Sequence, residues 1–366
     1  MKQVLQRWLD QYFSSEEAVL LVIILTLSLV VVATLGAVLG PVFAALIFAY
    51  LLQGVVNSLR HRGLSESIAI IASYLLFIML FISVFTVMIP IVGRQTSLLV
   101  AELPNMITRL RDLLVTLPET YADYISPEQF QIITAKVSTE LANLAEQVLS
   151  LSISSFPNIF GVIIYLFLVP LLVFFMLKDK HLLVGFLVAL LPKERGAMTA
   201  IWSEMDMQFA NYVRGKAIEI LIVGLASLLA FLILDLNYAA LLALLVGLSV
   251  LIPYIGATVV TLPVLLVGYM QWGWGLDFFW LFIVYGAIQF VDGNLLVPLL
   301  FSEVVNLHPV SIIIAVLLFG GIWGFWGVFF CYSSGNTGQG SLQRLAEEMV
   351  RYSHRGRLTD QHRQIR

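Results

Sequence analysis

Charge is what this chain has least of. No charged residue lies between Glu17 and Arg60, none from Ser67 to Gly93, and none from Leu236 to Leu276. A bilayer's hydrocarbon core is ~30 Å thick and takes roughly 20 mostly apolar helical residues to cross. Each run is therefore long enough for one or two crossings. Charged residues make up 12% of the chain and hydrophobic ones 60%, with a mean hydropathy of +0.95. Soluble domains carry about 25% charged residues, so a large soluble enzyme is excluded. A net charge of −3, with no basic tract in the body of the chain, gives nucleic acid nothing to bind. The single cysteine, Cys331, excludes an internal disulfide framework and a cysteine metal cage. There is no HExxH helix, GxSxG elbow, P-loop or Rossmann glycine pattern. No catalytic residue, metal site or cofactor is assigned.

What is present reads as an all-α, polytopic membrane protein. Residues 1–17 form a polar, amphipathic interfacial segment with Lys2, Arg7, Trp8, Tyr12 and Phe13. The first apolar run is too long for a signal peptide and lacks a small-residue cleavage site, so it reads as a retained helix. Residues 18–93 hold the N-terminal membrane helices: 18–38 and 41–59, separated by Gly36, Gly40 and Pro41, then 67–90, closed by Pro90 and Gly93. In residues 94–156 charges of both signs return. Phe130, Ile133, Val137, Leu141, Leu144 and Val148 recur at helical spacing, as expected of an extramembrane amphipathic subdomain. A membrane core over 157–330 follows. Inside it, apolar stretches 236–251 and 257–270 flank Ile252-Pro253-Tyr254-Ile255-Gly256. Each half is short of a full crossing at 1.5 Å per residue, so a re-entrant hairpin is expected. In all, the chain should have about seven or eight membrane segments. Lys and Arg near 2–7, 60–62 and 178–216 all fall on one side if the spans alternate, which puts the N-terminus in the cytoplasm.

A second shortage points to chemistry. No lysine or arginine occurs between Lys216 and Arg344, while Glu219, Asp235, Asp277, Asp292 and Glu303 do. A carboxylate at a helix centre in a bilayer costs roughly 2.5–3.5 kcal/mol on insertion scales. Asp235, Asp277 and Glu303 lie near expected helix ends, where hydration explains them. Asp292 lies deep in an apolar stretch, three residues after Gln289 and beside Gly293 and Asn294, with Pro298 following. Gln289 and Asp292 share a helical face, and Gly293 and Pro298 could open the helix and bare its carbonyls. Such a patch suits a cation, a proton or a hydroxylated solute; the competing reading is a buried polar knot that glues helices. Glu219 follows Tyr212, Arg214 and Lys216 at the mouth of a span, where pairing with either base competes with a transport role. His308, before Pro309, is a proton-titrating candidate or a plain cap.

These motifs resemble the autoinducer-2 exporter family, and its PerM-type permeases in particular. The matching stretches are FAYLLQGVVNSLRHRG at 48–63, PIVGRQ at 90–95, LVPLLVFFMLKDK at 168–180, NYVRGKAIE at 211–219, LIPYIG at 251–256, QFVDGNLLVP at 289–298 and LHPV at 307–310. Family members commonly carry proline at Gly54 and glutamate at Asp292. The resemblance implies a multi-pass permease of the bacterial inner membrane and a homo-oligomer. Some relatives are linked to signal-molecule export and others to sodium/proton antiport. After GGIWGFWGVFF at 320–330 the family continues with an apolar stretch resembling AIPLATLVKAV, whereas here CYSSGNTGQGSLQRLA follows. One nucleotide string encodes both in adjacent frames. Residues 331–366 thus read as a frameshifted tail, whose composition predicts disorder.

The expectation is a gradient-driven permease for a small solute or for H+ or Na+. Asp292, Gln289 and Asn294 form the ion or substrate path, the Pro253–Gly256 hairpin faces them, and Glu219 contributes. Tyr212, Arg214 and Lys216 gate the cytoplasmic mouth. The partners are the lipid bilayer, the solute or ion, and further copies of the chain. A membrane scaffold presenting residues 94–156, or an intramembrane enzyme, are the competing classes.

Overall fold

A computed structural model describes residues 16–121, 135–136, 139, 143, 159–189, 196–253, 255–301, 310, 313–324 and 326–329. Most of the amphipathic stripe expected at 94–156, the interfacial segment, His308, Glu303 and the tail lie outside them. Every regular element among the described residues is helical. They are α1 (Glu16–His61), α2 (Glu66–Ser83), a π-helical turn (Val84–Met88), α3 (Ile89–Tyr121), α4 (Ile159–Lys178) and α5 (Lys180–Ala189). Then come α6 (Gly196–Ile233), α7 (Ala239–Ser249), α8 (Ile255–Trp272), α9 (Leu276–Val291), a second π-helical turn (Asp292–Leu296), α10 (Val297–Phe301) and α11 (Ile313–Gly324).

Among the described residues, six helices are long and apolar enough to cross a membrane. Their burial pattern is that of a protein dissolved in lipid. On α6, Val223, Ser227 and Phe231 are buried, while Leu221, Leu225, Leu229 and Leu232 on the other side are more than half exposed. In water such a leucine row would be a liability; against hydrocarbon it is solvated. The all-α polytopic reading holds.

Two expected breaks are absent. Gly36, Gly40 and Pro41 do not divide the first apolar run into separate helices, because α1 runs unbroken for 46 residues with Pro41 inside. Nor do Pro90 and Gly93 end a span, since α3 continues through both. Proline cannot donate to the helix ladder and its ring crowds the preceding turn. The π turn at Val84–Met88 stands directly before Pro90, where a widened turn relieves that crowding. Thr86 of that turn also donates its hydroxyl to the Ile82 carbonyl at 2.8 Å, giving a backbone acceptor just before the turn a partner.

The chain divides into two compact units. The first comprises Met1–Ser73, Val169–Ile218 and Val297–Arg366; the second comprises Tyr74–Leu168 and Glu219–Leu296. The core of the second unit is built from Val223, Phe231, Leu242, Val246, Val264, Leu281 and Tyr285, with Leu99, Leu103 and Met106 of α3 packed on it.

Within the second unit α7 and α8 form a helical hairpin. The 11 residues of α7 span only ~17 Å, too short to cross, while the 18 of α8 reach ~27 Å. The tip is closed by Gly256: a Cβ there would run into the Ser249 carbonyl oxygen, and its own N–H donates to the Ile252 carbonyl at 2.9 Å. Long polar side chains bind the open end. Gln95 of α3 accepts from the Leu241 N–H at 2.8 Å, satisfying a donor in the first turn of α7. Gln271 donates to the Asp235 carbonyl and accepts from the Asn237 N–H, both at 2.8 Å, which holds a turn where Asp235 and Tyr238 have positive φ. Arg109 donates to the Met270 carbonyl at 3.2 Å near the end of α8. Burial raises the Tyr238 phenol above its ordinary pKa, with the Glu102 carboxylate adding to the shift. The Gln271-to-Trp274 stretch, which looks from sequence like an interfacial belt, thus also serves as a clamp.

Candidate functional site

The hairpin places Thr261 of α8 against Tyr285 of α9, where the two hydroxyls lie 3.1 Å apart. Gln289, one turn further along α9, donates from Nε2 to the Tyr285 hydroxyl at 2.8 Å. Asp292 comes next on the same face and is only 7% exposed. Tyr285, Gln289 and Asp292 stand at i, i+4 and i+7, the spacing that lines one side of a helix.

The proton order in this chain is fixed from its far end. Thr261 has one hydroxyl proton and donates it to the Ala257 carbonyl at 2.7 Å. Tyr285 must therefore donate to Thr261, and so its oxygen accepts from Gln289. That commits the Gln289 amide nitrogen and turns its carbonyl oxygen away from Tyr285. A carboxylate and an amide oxygen on one helix face make an acceptor-rich patch, matched to a cation or a proton rather than to an anion.

The backbone opens where the carboxylate sits. The second π turn begins at Asp292 and runs to Leu296, with Pro298 two residues beyond. Such turns free carbonyls from the regular ladder and recur at functional positions. Asn294, expected beside Asp292 on the ion or substrate path, donates its side-chain amide to the Phe290 carbonyl at 2.9 Å. One of its two amide protons thus covers a backbone acceptor just before the widened turn.

The register of α8 against α9 is set by two contacts. Thr261 meets Tyr285, and Gly268 lies against Leu281 and Phe278, so α8 and α9 run antiparallel with residue numbers that trade one for one. Gly256 stands at the start of α8, at the tip of the hairpin. Gly256 acts there as a steric necessity, since no side chain fits against Ser249. Glu219, at the start of the second unit's share of α6, is 1% exposed.

Tyr212, Arg214 and Lys216 belong to the first unit. Tyr212 is fully buried, its ring 6.1 Å from Phe301 and 5.4 Å from Phe329. Lys216 is 4% exposed and holds its ammonium 5.1 Å from the centroid of the Phe301 ring, a cation–π arrangement. A Cβ on Gly215 would come within 2.6 Å of that same ring, so glycine lets the aromatic approach. The Arg214 guanidinium lies over Gly54 of α1, its Nε 3.2 Å from where a Cβ would stand. Glycine at position 54 leaves room for that arginine. One helical turn earlier on α1, the Tyr50 hydroxyl donates to Asp206 of α6.

Sequence reasoning missed Thr261, Tyr285, Gln95, Gln271 and Arg109. For Tyr285 a signal existed, because it stands four residues before Gln289 and seven before Asp292. The others act across 24 to 161 residues, where local spacing carries no information.

Comparison with known proteins agrees with this architecture. Residues 6–333 match the model of the AI-2E family transporter. The chain is 41% identical over 330 residues to the "Putative permease PerM" of Escherichia coli (strain K12), covering 90% of this chain and 94% of that protein. It is 29% identical over 292 residues to the "Putative transport protein YueF" of Bacillus subtilis (strain 168), covering 78% of each. At greater distance, a "Putative transport protein" of Archaeoglobus fulgidus is 23% identical over 318 residues, covering 83% of this chain and 89% of that one. With six membrane-length helices and a family match across nearly its whole length, the chain is a multi-pass membrane protein that belongs to the AI-2E family of transporters.

Proposed function

We propose that this protein is a permease of the bacterial inner membrane, N-terminus in the cytoplasm, that moves a small solute or cation at the expense of an H+ or Na+ gradient. The observation that carries the reading is Asp292: a carboxylate 7% exposed, at the start of a π turn, in helices otherwise facing lipid. A carboxylate so placed is costly and is kept where it binds or releases a charge. Gln289 offers its carbonyl oxygen beside it, and Asn294, Pro253 and Gly256 form the surrounding patch. Glu219, also buried, is a second titratable group on the path. Tyr212, Arg214 and Lys216 act as a gate at the cytoplasmic mouth, and the working form is a homo-oligomer.

The test is a proteoliposome assay with a pH-sensitive dye trapped inside. Pulses of Na+, Li+ or K+, and then of candidate solutes, are added with and without an imposed proton gradient. The reading expects a dye response in wild type that Asp292→Asn abolishes. Equal responses from wild type and variant would remove Asp292 from the mechanism.

A further inference from the structure

Four basic side chains from two distant loops meet at one membrane edge of the first unit. Arg60 and Arg62 lie where α1 ends; Lys178 and Lys180 flank the junction of α4 and α5. Glu66 stands between the two loops, its Oε1 3.7 Å from Arg60 Nη1 and 3.9 Å from His181 Nε2, ion-pair distances rather than hydrogen bonds. Only Glu66 and Asp179 oppose the four fixed positive charges in these stretches, and Arg60, Arg62, Lys178 and Lys180 are all exposed.

The height of the cluster matters as much as its charge. Candidate spans end at His61 and at Lys178, and another begins at Glu66, so three membrane-length helices share this edge. Beside the charges stand exposed apolar groups: Ile68 and Ile71 of α2, Phe175 of α4, and Leu182 and Phe186 of α5, the last two 74% and 69% exposed. Lys178 lies 5.7 Å from the Phe174 centroid, its stem along the apolar surface and its ammonium at the rim. Charges at the rim with bare apolar helices beneath match an amphiphile that is anionic at one end and hydrocarbon at the other. A free phosphate would leave the apolar half unused.

We infer that Arg60, Arg62, Lys178 and Lys180 form a headgroup site for an anionic phospholipid whose acyl chains lie along Ile68, Ile71, Phe175 and Phe186. Basic pockets at the cytoplasmic ends of membrane helices hold such headgroups. The arginines supply planar forks for phosphate oxygens and the lysines supply point charges. Positive loops also set membrane orientation, and that role alone would need the charges without their convergence.

The experiment titrates purified protein in neutral detergent with phosphatidylglycerol or with phosphatidylcholine of the same chains, reading bound lipid by native mass spectrometry and melting temperature in parallel. Wild type should retain phosphatidylglycerol, gain melting temperature from it, and do neither with phosphatidylcholine. Each basic residue near an anionic surface contributes about 1 kcal/mol, a factor of about five, so Lys178→Gln/Lys180→Gln should weaken retention about thirtyfold. Arg60→Lys/Arg62→Lys keeps the charge that orients the chain in the membrane but loses the forks; it should insert normally and still bind severalfold more weakly. Inorganic phosphate at matching concentration should not compete. Equal retention of both lipids, or unchanged retention by the variant that keeps its charge together with the lysine pair, would overturn the site.

Discussion

Removing the Tyr285 hydroxyl isolates what the Thr261–Tyr285–Gln289 chain does. Tyr285→Phe keeps the ring, which packs 6.1 Å from Phe231, and deletes one oxygen. Two hydrogen bonds go with it, at 2.8 and 3.1 Å. Thr261 remains satisfied, because its proton already rests on the Ala257 carbonyl. The group left without its partner is the Gln289 amide nitrogen, which is half-buried. A neutral hydrogen bond is worth about 1 kcal/mol, so the amide loses its preferred direction by about a factor of five. The half-saturating cation concentration should rise about fivefold while maximal flux, which the proposed function assigns to Asp292, changes little. The melting temperature should fall by about 1–2 °C, since the unfolding entropy of about 2.1 cal/mol/K per residue is summed over 366 residues. Thr261→Val is the companion: Tyr285 loses its acceptor but Gln289 keeps its own, so the cation dependence should move less. If Tyr285→Phe lowers the melting temperature and leaves the cation dependence unchanged, the chain is structural and the acceptor argument fails.

Other expectations concern the scaffold. Gly256→Ala drives a Cβ into the Ser249 backbone oxygen and should destabilise strongly, whereas Gly268→Ala meets only the flexible Leu281 side chain and should cost less; comparing the two melts checks this. Gln271→Ala removes both bonds that clamp the 235–237 turn and should lower stability by about 1–2 kcal/mol without altering cation dependence. Gly54→Ala needs Arg214 to give by a few tenths of an ångström, so its thermal effect should be small, and a change in flux there would mark Arg214 as belonging to the gate. Phe301→Leu removes the ring beneath Lys216 and should destabilise the first unit by more than its lost area predicts, a surplus that a double-mutant cycle with Lys216→Met would measure.

The sequence carried the solvent and the position of the charge. Long uncharged runs gave the membrane helices, and Pro253 with Gly256 gave a hairpin tip, because chain breaks and burial in lipid are written locally. The unbroken α1 and α3 were not legible. Proline normally stops a helix, and nothing local announces the π turn that stands before Pro90. The residues that hold the hairpin together were hidden for another reason. Gln95, Arg109 and Gln271 are ordinary polar side chains in sequence, and their roles come from backbone groups 146, 161 and 34 to 36 residues away. Asn294 has a use that its proximity to Asp292 did not announce: its side-chain amide serves the Phe290 carbonyl, one turn back.

Whether the negative charge at position 292 is what the protein works with is most directly measured by gradient-driven flux through proteoliposomes holding wild type, Asp292→Asn or Asp292→Glu at equal density. The account predicts a silent asparagine variant, and a working glutamate variant with a shifted pH dependence, because the longer acid keeps the ionisable group but moves it. An asparagine variant that transports as wild type does would contradict it.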